Sequence, residues 1–188
     1  MSATVVCFSQ YCRLPVACRH MRYGLLILAG FMCAISDGTR AAETVALAEL
    51  AKPGRVLMLR HANAPGIGDP SSFSLDDCST QRNLDQAGRA QALALGKRLA
   101  QAGLRQAKVY SSQWCRCLDT ARLLNLGPVE PLPALNSFYA RSHARETTLA
   151  ALRVFLAGLP TTGAPVVLVT HQVTITAFTG EGAATGSG

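Results

Sequence analysis

Aromatic residues are scarce in this chain of 188 residues: one Trp, four Tyr and six Phe, 6% in all. No run of Lys and Arg is interleaved with them, so the stacking platforms and basic stripes that hold nucleic acid are missing. Long apolar stretches are missing too. The run from Gly24 to Ile35 is about a dozen residues, where a bilayer span needs roughly 20. Charge is sparse at 15%, with 11 acidic residues against 18 Lys and Arg. Four of the basic residues, Arg13, Arg19, Arg22 and Arg40, lie at the N-terminal end. From Ala42 onward 14 Lys and Arg face 10 Asp and Glu, a mildly basic balance that suits an anionic ligand. Of the seven cysteines, four (Cys7, Cys12, Cys18, Cys33) fall in the first 41 residues. The remaining three cannot build a disulfide framework. One bridge, from Cys78 to either Cys115 or Cys117, fits an oxidising compartment. No His or further Cys stands at zinc-like spacing beside Cys115 and Cys117, so neither metal nor cofactor is expected. No internal repeat is visible.

The N-terminus has the pattern of targeting sequence. In "MRYGLLILAGFMCAIS" a start-like Met21 and positive Arg22 precede the apolar run. "DGTRAAET" follows, with small residues where a signal peptidase cuts, after Ala41 or Ala42. The expected organisation is a leader over 1–41, with its signal-peptide core at 21–41, a single domain over 42–180, and a flexible or truncated low-complexity tail over 181–188. An uncleaved anchor or a buried first helix is the alternative for the apolar run. The expected location is periplasmic or secreted, with no stable membrane insertion after cleavage.

Within the domain, "RVLMLR" (55–60) is a continuous apolar run, the mark of a strand covered on both faces. Residues 62–81, rich in Pro, Gly, Ser and Asp, form a loop long enough to suggest function. Asp85 caps a helix running to about Ala102, and Gly103 ends it. "AKVYSS" (107–112) is a second strand, and 114–125 a helix with Trp114, Leu118, Ala121 and Leu124 as its apolar stripe. "PVEPLPAL" is a proline-broken edge strand or connector. Residues 144–159 form an amphipathic helix, and "PVVLVT" (165–170) is another buried strand. Strands alternating with helices predict an α/β fold, a three-layer α/β/α sandwich with a mostly parallel central sheet.

Three strand ends then look alike. The first delivers Arg60 and His61. The second delivers Ser111 and Ser112, with Arg116 in the next helical turn. The last delivers Thr170 and His171. In parallel sheets such ends converge on one edge, where ligands bind. Two arginines and two histidines around one pocket match phosphoryl oxygens, and an imidazole can accept a phosphoryl group.

"LRHA", "RNLDQAGRAQALALGKRLA", "VYSSQWCRCLDTARLL" and "VVLVTHQVTITAFTG" together resemble the histidine phosphatase superfamily, whose best-known branch includes the phosphoglycerate mutases. The resemblance spans about Arg55 to Gly180. It implies His61 as the phosphorylated nucleophile, Arg60 and Arg116 as phosphate-binding arginines, and His171 as the second histidine at the phosphate. It also implies a weaker phosphate contact for Asn63. The sequence departs from the pattern at Ala62, where glycine is familiar. It departs again in having no carboxylate at Asn136 and Ser137 or at Gln172, where family members carry the general acid. The long loop offers Asp69, Asp76 and Asp77 instead, with Asp77 the first choice and Asp69 the second. The chain ends at Gly188, short of a further strand usual in the family, which predicts a truncated product or a sheet one strand poorer. The expectation is a phosphatase acting on a small phosphorylated substrate through a phosphohistidine on His61, with mutase activity disfavoured. The alternative is a non-catalytic module that binds phosphate or a phosphorylated partner. Arg141 and Arg145, around His143, could add charge for an anionic substrate.

Overall fold

The computed structural model describes residues 47–180. The expected leader, its cleavage site and the tail lie outside the described residues. Four strands, β1 (Val56–Arg60), β2 (Lys108–Ser111), β3 (Val129–Pro131) and β4 (Val166–Thr170), make one sheet in the order β1-β4-β2-β3. Every pairing is parallel, so the sheet is wholly rather than mostly parallel among the described residues. The helices are α1 (Gln86–Gln101), α2 (Cys115–Leu124), α3 (Arg145–Ala157) and α4 (Gln172–Thr179).

The apolar runs become strands because both sheet faces are covered. Alternate side chains of β1 and β4 enter opposite cores. Leu57, Leu59, Val167 and Val169 pack with Leu99 of α1 and Leu124 of α2. Val56, Met58, Val166 and Leu168 pack with Leu152 of α3 and Ile175 of α4. This makes the three layers. Central β4 is buried at all five positions, whereas proline-containing β3 is three residues long and lies at the sheet edge. The register sets Arg60 opposite Thr170 and Ser111 opposite Val169, which brings the three expected strand ends level.

One expected helix differs in detail, and a further helix follows β4. In α2 the expected stripe is only part of the buried face. Leu118 is half-buried, while Arg116, Cys117 and Thr120 are buried beside Ala121 and Leu124. The polar members are satisfied by hydrogen bonds, so the helix turns a wider face inward than its apolar residues indicate. The segment after His171 is helix α4, ended by Gly180 in the left-handed conformation with φ 72°.

The loop from Ala62 to Gln81 is tied down. Cys78 forms a disulfide with Cys115, the first residue of α2, and Cys117 stays free and buried. Buried Gln81 accepts the Cys115 amide N–H at 2.9 Å and donates to the Ser74 carbonyl at 2.7 Å. The start of α1 touches the same loop through the residues of the "GRAQA" stretch. Any Cβ on Gly88 would lie 2.0 Å from the Asn63 carbonyl oxygen, so only glycine lets α1 come this close. Gln91 accepts the Asn63 amide N–H at 2.8 Å, and Ala92 fills a small core with Ala62, Ala64 and Leu84.

Candidate active site

His61 stands just beyond β1, its amide donating to the Thr170 carbonyl at 2.9 Å. Its ring is 6% exposed. Nδ1 lies 2.7 Å from the Ala62 carbonyl oxygen, and Nε2 lies 3.3 Å from Arg116 Nε. A carbonyl only accepts and a guanidinium only donates. The proton is therefore on Nδ1, and the Nε2 lone pair points at Arg116. Ala62 is fixed in turn, because its amide donates to Thr120 Oγ1 at 3.0 Å and that hydroxyl donates to the Arg116 carbonyl at 2.7 Å. Arg116 and Thr120 of "SQWCRCLDTA" are thus bonded to each other as well as fixing Ala62.

His171, at the end of β4, is equally constrained. Arg116 Nη2 lies 3.4 Å from its Nδ1, so the proton is on Nε2, which donates to Ser112 Oγ at 2.9 Å. The Ser112 hydroxyl passes a hydrogen bond to Asn136 Oδ1 at 3.1 Å. The two imidazole centroids are 5.5 Å apart.

Burial pushes the His61 pKa down to about 3; the Ala62 carbonyl opposes this, and Arg116, Arg60 and Arg82 add to it. Burial also drives His171 well below its ordinary value, helped by His61 and the same arginines. Both rings are neutral at pH 7. In the unfolded chain both titrate near 6.5. The unfolded state therefore binds more protons below that pH, and stability falls as pH drops from about 6.5 toward 3. Urea midpoints measured from pH 7 to 4.5 should fall steadily, and less steeply in His61→Asn. A flat wild-type profile would contradict the buried neutral histidines. Asp69 adds to the loss only near and below its ordinary 3.8.

Arg116 is 3% exposed and needs compensation. Asp69 supplies it in a bidentate ion pair, with Nη1 to Oδ1 at 2.8 Å and Nη2 to Oδ2 at 3.2 Å. Asp69 also accepts from the Arg82 amide and from Trp114 Nε1, each at 3.0 Å. Burial alone would raise its pKa, but Arg116, the Arg82 amide and Trp114 outweigh that and hold it below the ordinary value. The carboxylate is ionised and lies on the guanidinium that faces both histidines.

Arg60, His61, Asp69, Arg82, Arg116 and His171 line one cleft of about 410 Å³. Two expected site residues are elsewhere. Asp77 is exposed and caps the single helical turn Cys78–Thr80, accepting from the Ser79 amide at 2.9 Å and hydroxyl at 2.7 Å. Those hydrogen bonds lower its pKa, so it is neither in the cleft nor an acid near neutrality. Asn63 is exposed on the α1 side, its Nδ2 donating to Asp85 Oδ2 at 3.0 Å. Asp76 is also exposed and off the cleft, and Arg145 pairs with Glu146 at 3.0 Å. Arg141 does line the cleft.

Arg82, which no strand end or helix stripe singles out in the sequence, also lines the cleft. Its Nε donates to the Gly68 carbonyl at 2.8 Å and its Nη1 to the Ala64 carbonyl, which clamps the loop over the site. Its position just ahead of the Asp85 cap, inside the stretch "RNLDQAGRAQA", was the available signal. Cys117 is no rival nucleophile: burial pushes its thiol up to about 12. Among the described residues no group of three or more His, Cys, Asp or Glu could hold a metal ion, and no helix is long and apolar enough to cross a membrane.

No curated protein matches the chain. A solved structure of a candidate phosphohistidine phosphatase SixA from Agrobacterium tumefaciens is similar at 27% identity and TM-score 0.48, covering 66% of this chain and 73% of that one. A candidate phosphohistidine phosphatase SixA from Nakamurella multipartitia is 21% identical with TM-score 0.47, over 65% of this chain and 62% of that one. A mycobacterial glucosyl-3-phosphoglycerate phosphatase is 20% identical with TM-score 0.46, over 65% and 77%. Residues 56–140, which carry Arg60, His61, Asp69, Arg82 and Arg116, match the family model of the histidine phosphatase superfamily (branch 1).

Proposed function

We propose that this protein is a phosphatase that hydrolyses small phosphomonoesters through a phosphohistidine on His61. The observation that carries the reading is the neutral His61, its Nδ1 proton held by Ala62 and its free Nε2 3.3 Å from Arg116. Phosphate monoester hydrolysis is among the slowest uncatalysed reactions, and fixed cations around the moving phosphoryl group address its barrier directly.

In the proposed cycle Arg60, Arg82 and Arg116 take the phosphoryl oxygens. His61 Nε2 attacks phosphorus as the ester P–O bond breaks, and the leaving oxygen takes a proton. Water then attacks the phosphohistidine, breaking the P–N bond and releasing inorganic phosphate. His171 stays neutral and orients Arg116 by accepting its Nη2 N–H at Nδ1.

Among the described residues Asp69 is the only carboxyl group lining the cleft, and we assign it the proton transfers. It is a carboxylate paired with Arg116. A phosphoryl dianion competes for that same guanidinium. Displaced, Asp69 loses its cation and gains an anionic neighbour, and both changes raise its pKa toward that of a working acid. It would protonate the leaving oxygen and later deprotonate the attacking water. The Cys78–Cys115 disulfide and the signal-peptide pattern of the N-terminus support a location outside the cytoplasm.

The test is phosphate release from 4-nitrophenyl phosphate between pH 4 and 8, with purified protein. Turnover is expected across this range, because His61 does not protonate within it. Binding of inorganic phosphate without any turnover would leave a phosphate-binding module and remove the enzyme reading.

A further inference from the structure

The cleft continues well past the groups that hold a phosphoryl group. Its outer part is formed by the loops carrying Ile67 and Tyr139. These side chains are 89% and 65% exposed. Among the described residues only Leu93 and Val154 are comparably exposed large apolar side chains, and neither lines the cleft. Half of the conspicuous exposed apolar side chains thus face this one opening.

A wall of rings joins the inner and outer parts. The Trp114 ring is 5.2 Å from His171, and Phe73 is 5.6 Å from Trp114. The Arg141 guanidinium then sits 5.5 Å from the centre of the Phe73 ring. Arg141 therefore stands two aromatic rings out from the histidines, at the rim. It forms no ion pair among the described residues. Asp69, the one carboxylate lining the cleft among the described residues, is engaged by Arg116, the Arg82 amide and Trp114. A guanidinium oriented by a ring and facing no carboxylate has its fork available to an anion.

We propose that the substrate's leaving group is flat and apolar and ends in a second anionic group, which Arg141 takes at the cleft rim. This rests on the phosphatase reading. The apolar part lies between the Phe73–Trp114 wall and the Ile67 and Tyr139 side chains, covering surface that a small polar alcohol would leave wet. Phe73 already orients the guanidinium, so little freedom is lost on binding.

Two esters isolate the second anion. 4-Propylphenyl phosphate and the phosphate ester of 3-(4-hydroxyphenyl)propionate have closely similar phenol leaving groups, and only the latter ends in a carboxylate. Wild type is expected to favour the carboxylated ester by about tenfold in kcat/KM, carried by KM. Arg141→Ala should abolish the preference by weakening that ester alone, and Arg141→Lys should keep part of it. Equal kcat/KM in wild type overturns the proposal, as does a preference that survives Arg141→Ala. An equal loss on both esters also overturns it, since Arg141 would then only prop Phe73. If neither ester is hydrolysed, the phosphatase reading fails separately. The same pair is then compared as ligands by titration calorimetry, where the same gap and the same dependence on Arg141 are expected and their absence overturns the proposal.

Discussion

His61→Ala is expected to lower kcat by at least about 10⁴-fold, the scale of loss when a covalent nucleophile is removed, while inorganic phosphate still binds. The separation follows from the site's construction. Deleting the ring leaves Arg60, Arg82 and the Arg116–Asp69 pair in place, and the Ala62–Thr120 bond does not involve the ring. Two imidazoles compete for the nucleophile's role, because both direct an unprotonated nitrogen at Arg116. Their opposite ring nitrogens distinguish them. His61 donates to a backbone carbonyl, which supports positive charge on the ring, whereas His171 donates to the Ser112 hydroxyl. His61 is the better nucleophile on that ground. Rapid quenching with labelled substrate should trap acid-labile phosphate on a peptide containing His61. The label should vanish in His61→Ala and form more slowly, on the same peptide, in His171→Ala. Label on the His171 peptide, or activity retained in His61→Ala, would reverse the assignment.

The strand-end residues were legible because strand periodicity and a parallel sheet bring separated tips together. "VLMLR" and "VVLVT" announce buried strands, and register does the rest for Arg60, His61 and His171. Arg116 was legible from its place one turn beyond a strand end. The long loop was not. Which of its aspartates enters the cleft depends on partners 47 and 45 residues away in sequence, Arg116 and Trp114. No local period encodes such a choice. Local signals argue against Asp77. An aspartate two residues before a serine, opening a helical turn, bonds its own backbone. Asn63 failed for a related reason: its neighbour Ala62 is bonded to Thr120, and Asn63 itself is bonded to Asp85 and Gln91 at the head of α1. The disulfide was narrowed to two partners by counting. Only the fold separates Cys115, at the helix start beside the loop, from Cys117, buried beneath His171.

Asp69→Asn is the second large effect, and its size should depend on the leaving group. If Asp69 delivers the proton, the first-turnover rate with an alkyl phosphate should fall by about 10³-fold, the mid-range of general acid catalysis. With 4-nitrophenyl phosphate, whose phenolate leaves unaided, the fall should be no more than about tenfold, since little proton transfer is needed in that transition state. The Arg82 amide and Trp114 Nε1 bond different oxygens of Asp69, so the single carboxamide oxygen of the variant keeps only one of these two anchors of the loop. It loses the charge that neutralises Arg116, a group only 3% exposed. Two further changes follow from that one loss. Inorganic phosphate no longer competes with an internal carboxylate, so it should inhibit more strongly by several-fold. The free protein now holds an uncompensated buried guanidinium and should be less stable, with stability regained on adding phosphate. A residue that merely neutralised Arg116 would give the same inhibition and stability changes but equal rate losses on the two esters. The ratio of the two rate losses therefore decides whether Asp69 is the acid, independently of how well the variant folds.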